Sequence, residues 1–160
     1  RSAGLVLEVF FCSPAFDIPV GGLLTGSVDA VLGLPGSQPD NPRLAICDYK
    51  SNRLHSLGVL DPLQAYAPER LIDAMVGHHY PLQALLYGTA LFRMLRWRVP
   101  QADPAQCIVG IIYAFTRGMK GAQTPIDDQG RRYGVFTWCA PDGLWQALSD
   151  LLAGKNEADT

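Results

Sequence analysis

The chain alternates between short apolar runs and clusters of turn-forming residues, and the period of the apolar positions changes along its length. Residues 5–12 (LVLEVFFC) read as a strand, and Pro14 and Pro19 then prevent regular pairing. Residues 21–34 (GGLLTGSVDAVLGL) read as a second strand that opens on a glycine turn. A turn-rich segment, residues 35–42 (PGSQPDNP), predicts an exposed loop, and RLAICDYK after it predicts a third strand antiparallel to the second.

Past that point the spacing becomes helical. Leu71, Met75 and His78 recur at three and four residues within 68–79, with Gly77 as the stop. Pro81 suits the first turn of a second helix, which runs to Arg98 and is closed by Pro100. Residues 107–118 (CIVGIIYAFTRG) have the near-continuous apolar character of a strand covered on both faces. A further strand over 133–139 and an amphipathic helix over 141–154 complete the pattern. Strands, helices, then strands and a helix predict an α/β fold with a mixed central sheet flanked by helices.

Composition narrows the class. The chain has 160 residues, 48% of them hydrophobic and 18% charged, which suits one domain with one sizeable core. No apolar run approaches the roughly 20 residues that span a bilayer, and no basic segment leads into a hydrophobic one at the amino end. No membrane association is expected, and a cytoplasmic location is. The first residue, Arg1, is not Met, which points to a fragment of a longer chain. Cys12, Cys47, Cys107 and Cys139 include no C-x-x-C spacing, so buried reduced thiols are expected rather than a zinc or iron–sulfur site.

The net charge of −2 hides an asymmetry. Residues 93–132 hold seven bases against three acids, and the remainder holds six bases against twelve acids. Such a basic region suits either a phosphate backbone or ordinary solvated surface.

Candidate chemistry begins at the end of the third strand. In LAICDYKSN, alternation puts Asp48 and Lys50 on one face and Tyr49 on the other. The pair is either a plain salt bridge, or a metal ligand beside a phosphate-binding ammonium. Asp29, in the second strand, stands among apolar neighbours where a lone carboxylate is expensive to bury. Pairing across the 35–42 loop would aim Asp29 and Asp48 into one pocket. Two adjacent carboxylates repel, and a hard divalent cation taking oxygen ligands resolves the conflict. Gln83 and Tyr87 stack four apart on the long helix, on the face that also carries His79 one turn earlier and Ala90 and Met94 later. They either mark a half-buried boundary or hold polar groups for the strand acids or a DNA phosphate.

The ordered segments TGSVDAV (25–31), DYKSN (48–52), HHYPLQALLYGTALFRMLRWR (78–98), GIIYAFTRG (110–118) and GVFTWCAPDGLWQAL (134–148) resemble the RecB nuclease-domain family. That family, the nuclease part of the exodeoxyribonuclease V beta subunit, lies within the PD-(D/E)XK superfamily with its restriction-endonuclease-like core. The resemblance implies a magnesium-dependent deoxyribonuclease, with manganese or calcium able to replace magnesium in binding. It implies that Asp29 and Asp48 bind the metal together with the carbonyl of Tyr49, and that Lys50 is the catalytic lysine. It implies that Gln83 and Tyr87 position DNA, and that Glu8 and His78 are structural.

The implied substrate is single-stranded DNA unwound by a helicase in double-strand-break repair, and the implied partners are RecC-like and RecD-like subunits. A further metal-binding histidine of the family, upstream of the first strand, has no counterpart after Arg1. No G-x-x-x-x-G-K-[ST] run is present, so an ATP-driven motor would lie outside residues 1–160, which are expected to form a single nuclease domain. The alternative from another class is a nuclease-fold module that docks or guides DNA without cutting it.

Overall fold

The computed structural model describes residues 25–54 and 61–154. The strand expected over 5–12 and the start of the one expected over 21–34 therefore lie outside the described residues. Four strands form one sheet in the order β1 (Ala30–Gly33), β2 (Leu44–Lys50), β3 (Ile108–Phe115) and β4 (Val135–Trp138). β1 and β4 run antiparallel to their neighbours, while β2 and β3 are parallel. The fold is thus α/β with a mixed sheet, as the changing period predicts.

The parallel pair needs a long crossover, which the helices provide. Between β2 and β3 come α1 (Pro68–Gly77), α2 (Tyr80–Arg98) and the one-turn α3 (Pro104–Cys107), and α4 (Leu144–Leu151) follows β4. The hairpin from β1 to β2 is closed by the Leu34 amide donating to the Arg43 carbonyl (2.8 Å). The Arg43 guanidinium also donates to the Pro35 carbonyl (2.7 Å).

One face of the sheet carries the core. Ile46, Ile111, Tyr113 and Phe115 project from it into a cluster with Tyr66, Leu71, Met75, Leu91, Phe92, Leu95 and Trp145. α2 and α4 meet over this face at Gly88, where a Cβ would overlap the Trp145 ring. The glycine is therefore set by the indole rather than by backbone conformation.

Several boundaries differ from the sequence pattern, each for a local reason. β1 begins only at Ala30, because its pairing starts at Ala30↔Cys47. Asp29 consequently sits in the bend before the strand and is exposed, not buried mid-strand. α1 continues through Gly77, and the left-handed residue between the two long helices is His79 (φ 58°). His78 caps the end of α1 and is exposed, so it does not extend the apolar stripe of Leu71 and Met75. Cys47 and Cys107 are buried free thiols, but Cys139 is exposed just past the last paired residue of β4, and Cys107 is helical. Cys12 lies outside the described residues. Among the described residues no helix is long and apolar enough to cross a membrane.

Gly88→Ala is expected to lower stability by about 1–3 kcal/mol, because the added methyl forces the rigid indole and two helices apart. Urea unfolding should show a lower midpoint with an unchanged slope. An unaltered midpoint would show that the contact is not tight.

Candidate active site

β2 leads from the core to a polar end. Asp48 and Lys50 share the face that carries Ile46 inward, and the first turns of α2 lie over them. Their side chains are 4% and 12% exposed, respectively. Lys50 Nζ lies 2.5 Å from Asp48 Oδ1, a close ion pair on a buried carboxylate oxygen.

The ammonium is held from two further sides. It donates to Gln83 Oε1 (2.8 Å) and lies 4.1 Å from the centroid of the Tyr80 ring and 5.4 Å from that of Tyr113. Aromatic faces attract a cation and keep water from it. Gln83 Nε2 in turn donates to the Tyr87 hydroxyl (3.0 Å). The amide orientation follows from these neighbours, since only its oxygen can accept from an ammonium. Asp48, Lys50, Gln83 and Tyr87 thus form one continuous polar chain from β2 to the outer side of α2.

Asp29 reaches the same strand end by another route. Extending the β1–β2 register by one step sets it opposite Asp48. Its Oδ2 accepts from the Tyr49 amide (2.9 Å). In a strand, the amide and carbonyl of one residue face the same neighbour. The Tyr49 carbonyl is therefore directed to the edge where Asp29 sits, while its phenol projects from the opposite face of the sheet, 54% exposed at the residue level. Burial pushes the Cys47 thiol up from its ordinary pKa; contact with the Tyr49 phenol lowers it, and Asp48 and Asp29 raise it further. Both carboxylates therefore act on this one end of β2.

Asp48, Lys50, Gln83 and Tyr87 are joined by these contacts, and Asp29 meets the same strand end through the Tyr49 amide. Glu8 lies outside the described residues. His78 stacks on Tyr80 with ring centroids 5.4 Å apart.

Four residues that spacing alone did not single out complete the frame. The Tyr80 hydroxyl donates to Asn52 Oδ1 (2.8 Å), and the Tyr113 hydroxyl donates to the Tyr80 carbonyl (2.9 Å). Tyr66 donates to the Asn52 carbonyl (2.9 Å), and Arg117 Nε donates to the Ser51 carbonyl (2.7 Å). Tyr80 stands three residues before Gln83 and seven before Tyr87, a helical spacing that could have revealed it. Tyr113 faces Asp48 only through the β2–β3 register, which no local pattern encodes.

Asp29, Asp48 and the Tyr49 carbonyl offer only oxygen donors, and the Asp48 carboxylate is buried. That donor set suits a hard cation such as magnesium. Among the described residues no third His, Cys, Asp or Glu joins them to make a larger ligand group.

No family model matches the chain. RecBCD enzyme subunit RecB of Mycobacterium tuberculosis is 48% identical over 136 residues, which is 85% of this chain and 11% of that protein. The subunit of the same name from Mycolicibacterium smegmatis is 44% identical over 84% of this chain and 12% of its own length. That of Escherichia coli is 32% identical over 89% of this chain and 11% of its own. The chain is homologous to one segment of RecB. It spans about a tenth of the length of these RecB relatives. The matched share of the chain is large enough that the RecB segment and this sheet with its helices are one fold.

Burial pushes the Tyr113 phenol far above its usual pKa, and the nearby Asp48 carboxylate, then Tyr87 and Tyr80, add to the shift. The unfolded chain ionises this tyrosine near pH ~10 while the folded chain holds the proton. Its contribution to stability is therefore complete below about pH 10 and is lost as pH rises further. The buried thiols Cys47 and Cys107, both raised chiefly by burial, act with the same sign from about pH 8.5. Tyr113→Phe should make the decline of the unfolding midpoint above pH ~10 shallower, at a loss of about 1 kcal/mol at neutral pH from the missing hydrogen bond. Parallel declines in the two proteins would show that Tyr113 titrates normally.

Proposed function

We propose that the chain is a magnesium-dependent nuclease domain of a RecB-like helicase–nuclease that acts in DNA double-strand-break repair. It would hydrolyse phosphodiester bonds in single DNA strands delivered by a motor elsewhere in the protein, alongside RecC-like and RecD-like subunits. The observation that carries this reading is the buried Asp48 carboxylate, ion-paired with Lys50, with Asp29 and the Tyr49 carbonyl at the same strand end.

Asp29, Asp48 and the Tyr49 carbonyl would hold the ion. Magnesium bound there supplies charge to the phosphate and makes water a better nucleophile. The protein's own residues do the rest. Lys50 has three donors, of which Asp48 and Gln83 take two directions, and the third can meet a phosphate oxygen. Its charge offsets the negative charge that builds on the non-bridging oxygens during in-line attack. Gln83 fixes the ammonium, and Tyr87 fixes Gln83, so the positive charge is pre-organised rather than recruited. Contacts of this kind read the backbone, so weak sequence preference is expected.

Asp48→Ala in the full-length protein is expected to abolish magnesium-dependent nicking of single-stranded DNA, leave the circular-dichroism spectrum unchanged, and remove the manganese signal seen by electron paramagnetic resonance. Parental cutting by the substituted protein would overturn the assignment. Lys50→Ala should slow cleavage on the order of a hundredfold while manganese still binds. Loss of manganese binding in that variant would instead make Lys50 a structural partner of the acids.

A further inference from the structure

α2 extends well past the candidate site along the line that Gln83 and Tyr87 begin. Gln83, Tyr87, Ala90, Met94 and Trp97 follow at intervals of four, three, four and three, so they stand in one file along the helix. The first two are half-buried, and the last three are exposed. Met94 is 47% and Trp97 73% exposed.

Trp97 is not a loose surface residue. The Arg98 guanidinium lies 4.4 Å from its ring centroid, covering one face of the indole and leaving the remainder to solvent. Arg96 and Arg93 follow on the same two turns, and no acid occurs between residues 93 and 98. Arg93 is bound to Ser149, donating to its hydroxyl (3.0 Å) and carbonyl (2.6 Å), which fastens this end of α2 to α4. Among the described residues, neither Arg96 nor Arg98 has an acid within ion-pair distance.

We propose that this file is the path of a single DNA strand to or from the candidate site, with one base stacked on Trp97 and a phosphate held by Arg98. The proposal rests on reading that site as a nuclease. An aromatic platform flanked by guanidinium groups is the arrangement that binds single strands without reading sequence. Beside Trp97 a groove mixes Arg93, Arg96, Ser149 and Asp150 with Leu152 and Ala153, more charged than the core of a protein interface. The span also fits. Fourteen residues of helix cover about 21 Å, roughly six phosphates at the 3.4 Å strand spacing of a duplex and fewer in an extended strand.

The test uses the full-length protein in calcium, with oligodeoxynucleotides that carry 5-iodouracil at successive positions. Irradiation followed by mass spectrometry should place a crosslink on Trp97, a few nucleotides from the scissile phosphate. Trp97→Phe should keep that crosslink and Trp97→Ala should lose it. Anisotropy with oligothymidylate should show affinity falling on the order of tenfold in Trp97→Ala, and Arg98→Ala should reduce the salt slope by about one. Crosslinks elsewhere but none at Trp97, with parental affinity in both variants, would overturn the path. So would a Trp97→Ala protein that binds DNA normally but no longer associates with its own subunits, which would make the face a protein interface. The two readings fail separately. A Trp97 crosslink in a protein whose Asp48→Ala form still cuts would keep the strand path and sink the metal site.

Discussion

The site turns on a single ion pair that the fold cannot leave incomplete. Asp48 is buried at the end of a strand that is otherwise core, and a carboxylate there without a counter-charge would destabilise the fold by several kcal/mol. Lys50 supplies that charge from the next residue on the same face. Its ammonium then has to be placed, and Gln83 from α2 and the faces of Tyr80 and Tyr113 place it. Tyr113 anchors the Tyr80 carbonyl, and Tyr80 holds Asn52, so the exit of β2, the start of α2 and the middle of β3 meet around one ammonium.

Such a pair is a poor way to gain stability. Buried ion pairs often contribute less than apolar residues of the same volume, because desolvation consumes most of the attraction. Here both charges are nearly out of water, so that cost is large. Departures of this sort from an apolar core concentrate where chemistry is done. The ammonium holds the carboxylate aimed, and Gln83 and two aromatic rings hold the ammonium in turn.

The sequence made some of this legible and concealed the rest. Asp48 and Lys50 were readable because strand alternation is local, and Gln83 with Tyr87 because helical spacing is local. The resemblance to RecB nuclease domains joined those fragments, and relatives named RecB match most of the chain. Asp29 was readable as a residue but misplaced as buried. Apolar neighbours say nothing of where pairing starts, and the ladder begins one residue later. Tyr113 was hidden, because its place opposite Asp48 depends on a parallel register set by a crossover of more than fifty residues. Cys139 misled for a related reason: its apolar run ends at Trp138 as a ladder, and the thiol falls just outside it.

α2 gathers these threads into one element with two different ends. Its first turns are bound inward to Lys50 and the aromatic cage, so Gln83 and Tyr87 have little freedom. Gly88 lets the Trp145 indole press against the helix midway, and Arg93 fastens the last turns to α4. With the helix fixed at start, middle and end, the distance from Lys50 to Trp97 is a property of the fold rather than of a loop. A strand of DNA laid along it would meet the ammonium and the indole at a constant separation. A helix held this firmly on its inner side can leave Met94 and Trp97 open on the outer one without loss of order, and that openness is what a transient, sequence-blind substrate requires.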